Sequence, residues 1–246
     1  MTGALTCDRL VLDVDQVLLD TRPSFYEAMR LVAAERGVFV SDTDIATFKA
    51  AGGYNDDWEL CRAAVAIGRW RQRTGDGRAL VDLVGPGGVS AVIAWADDPG
   101  DLAARCQELY WSLVAHERVW VDVARLVRIQ EAGVRVAACT GRNRAELDAA
   151  ERRLGFRFDA AITSDVARKP DAAALLPLLA GACDAWFVGD SVDDARCAAA
   201  ARSRGASVRF CACVEQQDDP APSPHDALTI GVDAFLSRIV AGLEAG

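Results

Sequence analysis

The chain has 246 residues, a formal net charge of −9 and 51% apolar side chains, which suits one large domain or a domain with an inserted lobe around a sizeable core. The acidic balance excludes a partner gripped through a nucleic-acid backbone, because that grip needs clustered Lys and Arg. No apolar run approaches the length of a membrane span, and no basic segment followed by an apolar stretch opens the chain, so a cytoplasmic protein without a signal peptide is expected.

The first short apolar run, Arg9–Val14, predicts a buried strand. A different region follows, with helical patterns over Ser24–Arg36, Asp42–Ala51, Asp56–Arg73 and Asp101–Ala115. Glycine-rich breaks interrupt it at Gly52-Gly53, Gly75-Asp76-Gly77 and Gly85-Pro86-Gly87-Gly88. The first pattern resumes near Trp120–Gln130. Strands are then expected at Val134–Cys139, Ala160–Thr163, Ala185–Val188 and Ala206–Cys211. Their apolarity is continuous rather than alternating, as a parallel sheet covered on both faces requires. Helices are expected between them at Arg144–Leu154, Asp171–Leu179 and Asp193–Arg202, with Gly155, Gly181 and Gly205 as their C-terminal caps. A polar, Pro-rich loop over Gln216–Pro224 precedes a last helix around Asp233–Leu243. Strand alternating with helix predicts an α/β fold, a doubly wound parallel-sheet (Rossmann-like) core formed by residues 1–20 and 117–246. Residues 21–116 form the inserted helical domain.

Eight cysteines are scattered, mostly in apolar runs, and read as reduced and buried. Cys211 and Cys213 fall on the same side of a strand, but no second pair or nearby histidine completes a zinc set. They read as two small buried residues.

The chemistry lies at the exits of the strands, where ligands of an open parallel sheet gather. Asp13-Val14-Asp15 ends the first strand, Thr140-Gly141-Arg142 follows the second, and Gly189-Asp190-Ser191-Val192-Asp193-Asp194 follows a later one. The chain has only two lysines, and one of them, Lys169, precedes Pro170 after another strand. A carboxylate pair, a hydroxyl, a lysine and a second acidic cluster together describe a magnesium-dependent site for moving phosphate. Singly they mean less: Asp190 or Asp193 could cap a helix, Thr140-Gly141 could be a turn, and Lys169 a surface lysine.

Taken in order, these motifs resemble the haloacid dehalogenase superfamily, in its phosphatase branch with a helical cap inserted after the first motif. The resemblance implies Asp13 as the nucleophile that forms an aspartyl-phosphate, and Asp15 as the acid and then the base. It implies Mg²⁺ held by Asp13, the backbone carbonyl of Asp15, and Asp190, with Asp194 or Asp193 as a further ligand. Thr140 and the amide of Gly141 would bind phosphoryl oxygens, and Lys169 would offset their charge. The motif departs from the family at Gln16, where glycine is usual.

The second aspartate disfavours a dehalogenase, and Phe25 stands where sugar phosphomutases of the branch carry a histidine. Lys49, the one cap lysine, leaves open a phosphonate hydrolase working through a Schiff base, or simply a ligand for an anionic substrate group. Asn55, in the stretch Gly52–Trp58, is a candidate for holding the leaving group or for capping a helix. Arg142 and Arg144 are either phosphate ligands or surface residues. A small phosphorylated metabolite is the expected partner, with a catalytically weak member that binds a phosphorylated ligand or protein as the alternative. Oligomeric state is left open.

Overall fold

A computed structural model describes residues 4–51, 57–75, 101–217 and 221–245. The chain divides into two compact units, one of Met1–Asp20 with Arg118–Gly246, the other of Thr21–Glu117.

The first unit is built on a six-stranded parallel sheet of β1 (Arg9–Leu12), β4 (Arg135–Cys139), β5 (Ala160–Ile162), β6 (Ala185–Gly189), β7 (Val208–Val214) and β8 (Ala227–Ile230). Its order is β5-β4-β1-β6-β7-β8, so the chain leaves β1 for one side and returns to the other. β1 pairs in register with both neighbours, Leu12 opposite Ala138 and Val188. Side chains alternate between faces along a strand, and the core follows that period. Leu10, Leu12, Val136, Ala138, Trp186 and Val188 pack with Leu126, Leu147 and Phe235 of three helices. Val11, Ala137, Phe187 and Phe210 join Leu175, Ala195 and Ala198 in a separate cluster. Apolar packing on both faces explains why the strands read as unbroken apolar runs.

A short antiparallel pair, β2 (Leu19–Asp20) with β3 (Arg118–Val119), completes this unit. Neither β2, β3 nor β8 was expected. Two-residue strands carry no period, and β8 alternates buried and exposed, as a strand covered on one face does. The expected helix over Asp171–Leu179 is instead a 3₁₀ turn at Ala172–Ala174 followed by a short helix at Leu176–Leu179. Pro177 lies in that helix's first turn, where its lack of an N–H costs nothing, but it cannot continue a helix arriving from before it. All eight cysteines are free thiols, and Cys183 is exposed rather than buried.

The regular elements described in the second unit are all helical. A π turn at Arg22–Tyr26 runs into the helix Glu27–Glu35, followed by Asp42–Ala51, Asp57–Thr74, Leu102–Leu113 and a 3₁₀ turn at Val114–His116. Its interior holds Phe25, Met29, Val32, Phe48, Leu60, Ile67 and Tyr110, with Trp58 and Trp70 packed against them. Phe25 and Tyr110 stack at 4.2 Å between ring centroids. The expected breaks at Gly52-Gly53, Asp76-Gly77 and Gly85–Gly88 lie outside the described residues.

Candidate active site

β1 delivers Asp13 to the carboxyl edge of the sheet, where its backbone N–H still donates to Val188 of β6 at 2.9 Å. The chain then turns sharply. Gln16 takes φ +57°, and its N–H closes the turn on the Leu19 carbonyl at 2.8 Å. That is the left-handed region glycine favours, so the turn keeps a glycine-like conformation with glutamine in it. The turn beginning at Asp15 is what lets two aspartates two positions apart serve separate neighbours.

Asp13 is buried. Its Oδ1 accepts from the Val14 N–H at 2.8 Å, and its Oδ2 pairs with Lys169 Nζ at 2.8 Å. The same ammonium donates to Asp194 Oδ1 at 2.6 Å, and the lysine side chain is only 2% exposed. Burial pushes the Asp13 carboxyl well above its ordinary value. Lys169 opposes that shift, while Asp194, Asp190 and Asp15 add to it. Lys169 is itself raised: burial works against its charge, but Asp13 and Asp194 outweigh burial. It is a fixed cation rather than a surface lysine.

Asp194 sits at the third position of the helix Val192–Ser203. Its Oδ2 accepts from the Ser191 N–H at 3.0 Å and the Ser191 hydroxyl at 2.6 Å, while the Asp194 N–H donates to the Ser191 hydroxyl at 3.1 Å. This reciprocal cap fixes the carboxylate and leaves Oδ1 for the lysine. A Cβ on Gly189 would stand 2.5 Å from Asp194 Cγ, so glycine is required there. Asp193, the other candidate, instead lies 3.4 Å from Arg196. Capping geometry thus separates two adjacent aspartates that the sequence left equivalent. Sequence reasoning passed over Ser191, although Ser followed three residues later by an acid is the spacing of such a cap.

Carboxylate oxygens of Asp13, Asp190 and Asp194 lie within 4.8 Å of one another. Asp15 points elsewhere, its Oδ1 accepting from Arg142 Nε at 2.8 Å. Thr140 is buried at the exit of β4, its N–H bound to Ile162 at 3.1 Å and its hydroxyl accepting from the Arg142 N–H at 3.2 Å. Gly141 is half-buried between them. Arg144 is exposed and paired with Asp148 and Glu151. Cys213 is no candidate nucleophile: burial, with Asp190 adding, pushes its thiol up to about 12. In the helical unit, Lys49 places its ammonium 5.4 Å from the centre of the Tyr26 ring. Asn55 lies outside the described residues.

A family model described as haloacid dehalogenase-like hydrolase matches residues 7–202, which contain every motif residue above. Among solved structures, Phosphatase Tt82 from Thermococcus thioreducens is 23% identical with a TM-score of 0.60, over 95% of this chain and 99% of that one. CbbY from Rhodobacter sphaeroides, solved in complex with phosphate, is 18% identical with a TM-score of 0.61, over 97% and 100%. A hydrolase of subfamily IA, variant 1, from Geobacter sulfurreducens is 20% identical with a TM-score of 0.54, over 96% and 97%. No curated protein matches the chain. At these identities the solved structures share its fold.

Proposed function

Because the chain belongs to the haloacid dehalogenase-like hydrolases, we propose that it is a Mg²⁺-dependent phosphatase cleaving a small phosphorylated metabolite through an aspartyl-phosphate on Asp13. The observation that carries this reading is the buried Asp13 carboxylate held by Lys169, with a second carboxyl group, Asp15, two residues away. A haloacid ester intermediate needs no acid for its leaving group, whereas a phosphate monoester does.

The residues fit a divalent cation. Asp13, Asp190 and Asp194 offer hard oxygen donors close together. Asp13, Asp190 and the backbone carbonyl of Asp15 would hold Mg²⁺, with Asp194 as a further ligand, direct or through water. When bound, the ion supplies positive charge against the phosphoryl oxygens.

Asp13 attacks phosphorus and the bond to the leaving oxygen breaks, with Asp15 giving that oxygen its proton. Asp15 then takes a proton from the water that attacks the aspartyl-phosphate, releasing phosphate and restoring Asp13. Lys169 stands fixed before the substrate arrives, so it offsets developing charge without reorganising. The Thr140 hydroxyl accepts from the chain, so its own hydrogen is the one that would meet a phosphoryl oxygen, beside the Gly141 amide.

The test is phosphate release from a panel of phosphorylated metabolites, with and without Mg²⁺, by the wild type and by Asp13→Asn. Magnesium-dependent release that falls at least about 10³-fold in the variant is expected. Release that survives the substitution would overturn the mechanism.

A further inference from the structure

Sequence reasoning offered Arg142 as a phosphate ligand or a surface residue, but its side chain is 0% exposed while that of Asp15 is 13% exposed. Nε donates to Asp15 Oδ1 at 2.8 Å, and Nη1 donates to the Glu146 carbonyl at 3.2 Å. A guanidinium is planar, so two bonds in different directions fix its plane and hence the carboxylate it holds. The anchor is rigid. Glu146 lies in the first turn of the helix Arg144–Leu154, where Asn143 and Glu146 cap each other reciprocally. Arg142 also ties the exit of β4 to the turn after β1, because its own N–H donates to the Thr140 hydroxyl while its side chain holds Asp15.

Resting on the phosphatase reading, we propose that Arg142 is a positioning residue for proton transfer. It holds Asp15 by one oxygen and leaves the other, Oδ2, presented to the leaving group and then to water. A lone aspartate at a turn has several rotamers, and a loosely placed acid loses much of the gain from proton transfer. The role predicts a chemical signature that a phosphate ligand would not give. Losing Arg142 should hurt substrates in proportion to their need for a proton. An alkyl ester expels an alkoxide and needs one, whereas p-nitrophenolate leaves readily without it.

The experiment compares glycerol 3-phosphate with p-nitrophenyl phosphate, using wild type, Arg142→Ala, Arg142→Lys and Asp15→Asn, with folding checked by thermal unfolding. In Arg142→Ala, kcat on the glycerol ester should fall about 10²-fold, that on the nitrophenyl ester less than about fivefold, with both KM values within about twofold. Arg142→Lys, which keeps a cation of similar length, should recover part of the loss, and it carries the same comparison if the alanine variant does not fold. Adding Arg142→Ala to Asp15→Asn should cost nothing further, since both act on one group. Equal losses on the two esters, or a raised KM with kcat kept, would overturn the inference and leave the phosphatase standing. Nitrophenyl phosphate turnover that persists in Asp13→Asn would overturn both.

Discussion

Near the carboxyl edge of the sheet, the α/β unit buries ionisable side chains: Asp13, Lys169, Asp194 and Arg142. The helical unit buries rings and methyl groups in its interior, with Phe25 stacked on Tyr110 and a run of Ala63, Ala64, Val65, Ala66 and Ile67 in one helix. Ion pairs such as Arg105 with Glu35 and Arg36 with Asp101 lie at its surface, while Asp44, paired with Arg71, and Glu117 are buried. Taking a charge out of water is expensive, and a buried pair seldom improves on well-packed hydrocarbon. An assembly optimised for stability alone would resemble the helical unit. The other unit instead gathers several buried charges at one edge of its sheet, which the proposed chemistry accounts for, and the difference can be tested by breaking one contact in each.

The largest effect is expected at Lys169. Lys169→Met keeps the length and removes the charge, leaving Asp13 and Asp194 buried side by side. With charge stabilisation lost, kcat should fall about 10³-fold. Metal-free protein should also lose about 3 kcal/mol of stability, a fall in melting temperature on the order of 6–12 °C by calorimetry. An unchanged kcat would remove Lys169 from the mechanism. The matching break in the helical unit is Phe25→Ala, which opens a cavity beside Tyr110. It should cost about 3–4 kcal/mol by denaturant titration. Well below its melting temperature, its kcat on p-nitrophenyl phosphate should stay within about threefold of wild type. That figure follows from placing the charges that act on phosphate in the other unit. A 10²-fold loss at full foldedness would put part of the chemistry in the helical unit.

The sequence made these two interiors unequally legible. Strands buried on both faces produce short apolar runs, and an acid, hydroxyl or lysine at the end of each run stands out against them. Asp13, Thr140 and Asp190 stand out that way, each directly after its own strand, whereas Lys169 lies in the stretch beyond β5. Arg142 was read differently, since what decides its role is a contact with Asp15, 127 positions earlier, across two strand exits. Asp194 and Asp193 needed the phase of the helix start, which boundary estimates do not resolve. β8 escaped because half its side chains face outward and it follows a polar loop. In the helical unit the apolar periodicity marked the helices, but it could not say that Trp58 leans on the Phe25–Tyr110 stack with ring centroids 6.2 and 6.5 Å away.

The smallest effect concerns the turn that follows Asp15. Gln16 at φ +57° carries a penalty of about 1 kcal/mol that glycine would avoid, although glycine also gains freedom in the unfolded chain. Gln16→Gly should therefore raise stability by about 0.5 kcal/mol, or on the order of 1–2 °C, because the two effects oppose each other. Gln16→Val, with a branched Cβ forced into the same conformation, should lose about 1–2 kcal/mol. If the turn serves only to aim Asp13 and Asp15, the glycine variant will keep the kcat of the wild type. A glycine variant of normal stability whose kcat falls tenfold or more on alkyl phosphates, yet not on p-nitrophenyl phosphate, would say otherwise. The amide of Gln16 would then act beside Asp15 on the leaving group, and the strained conformation would be the cost of putting it there.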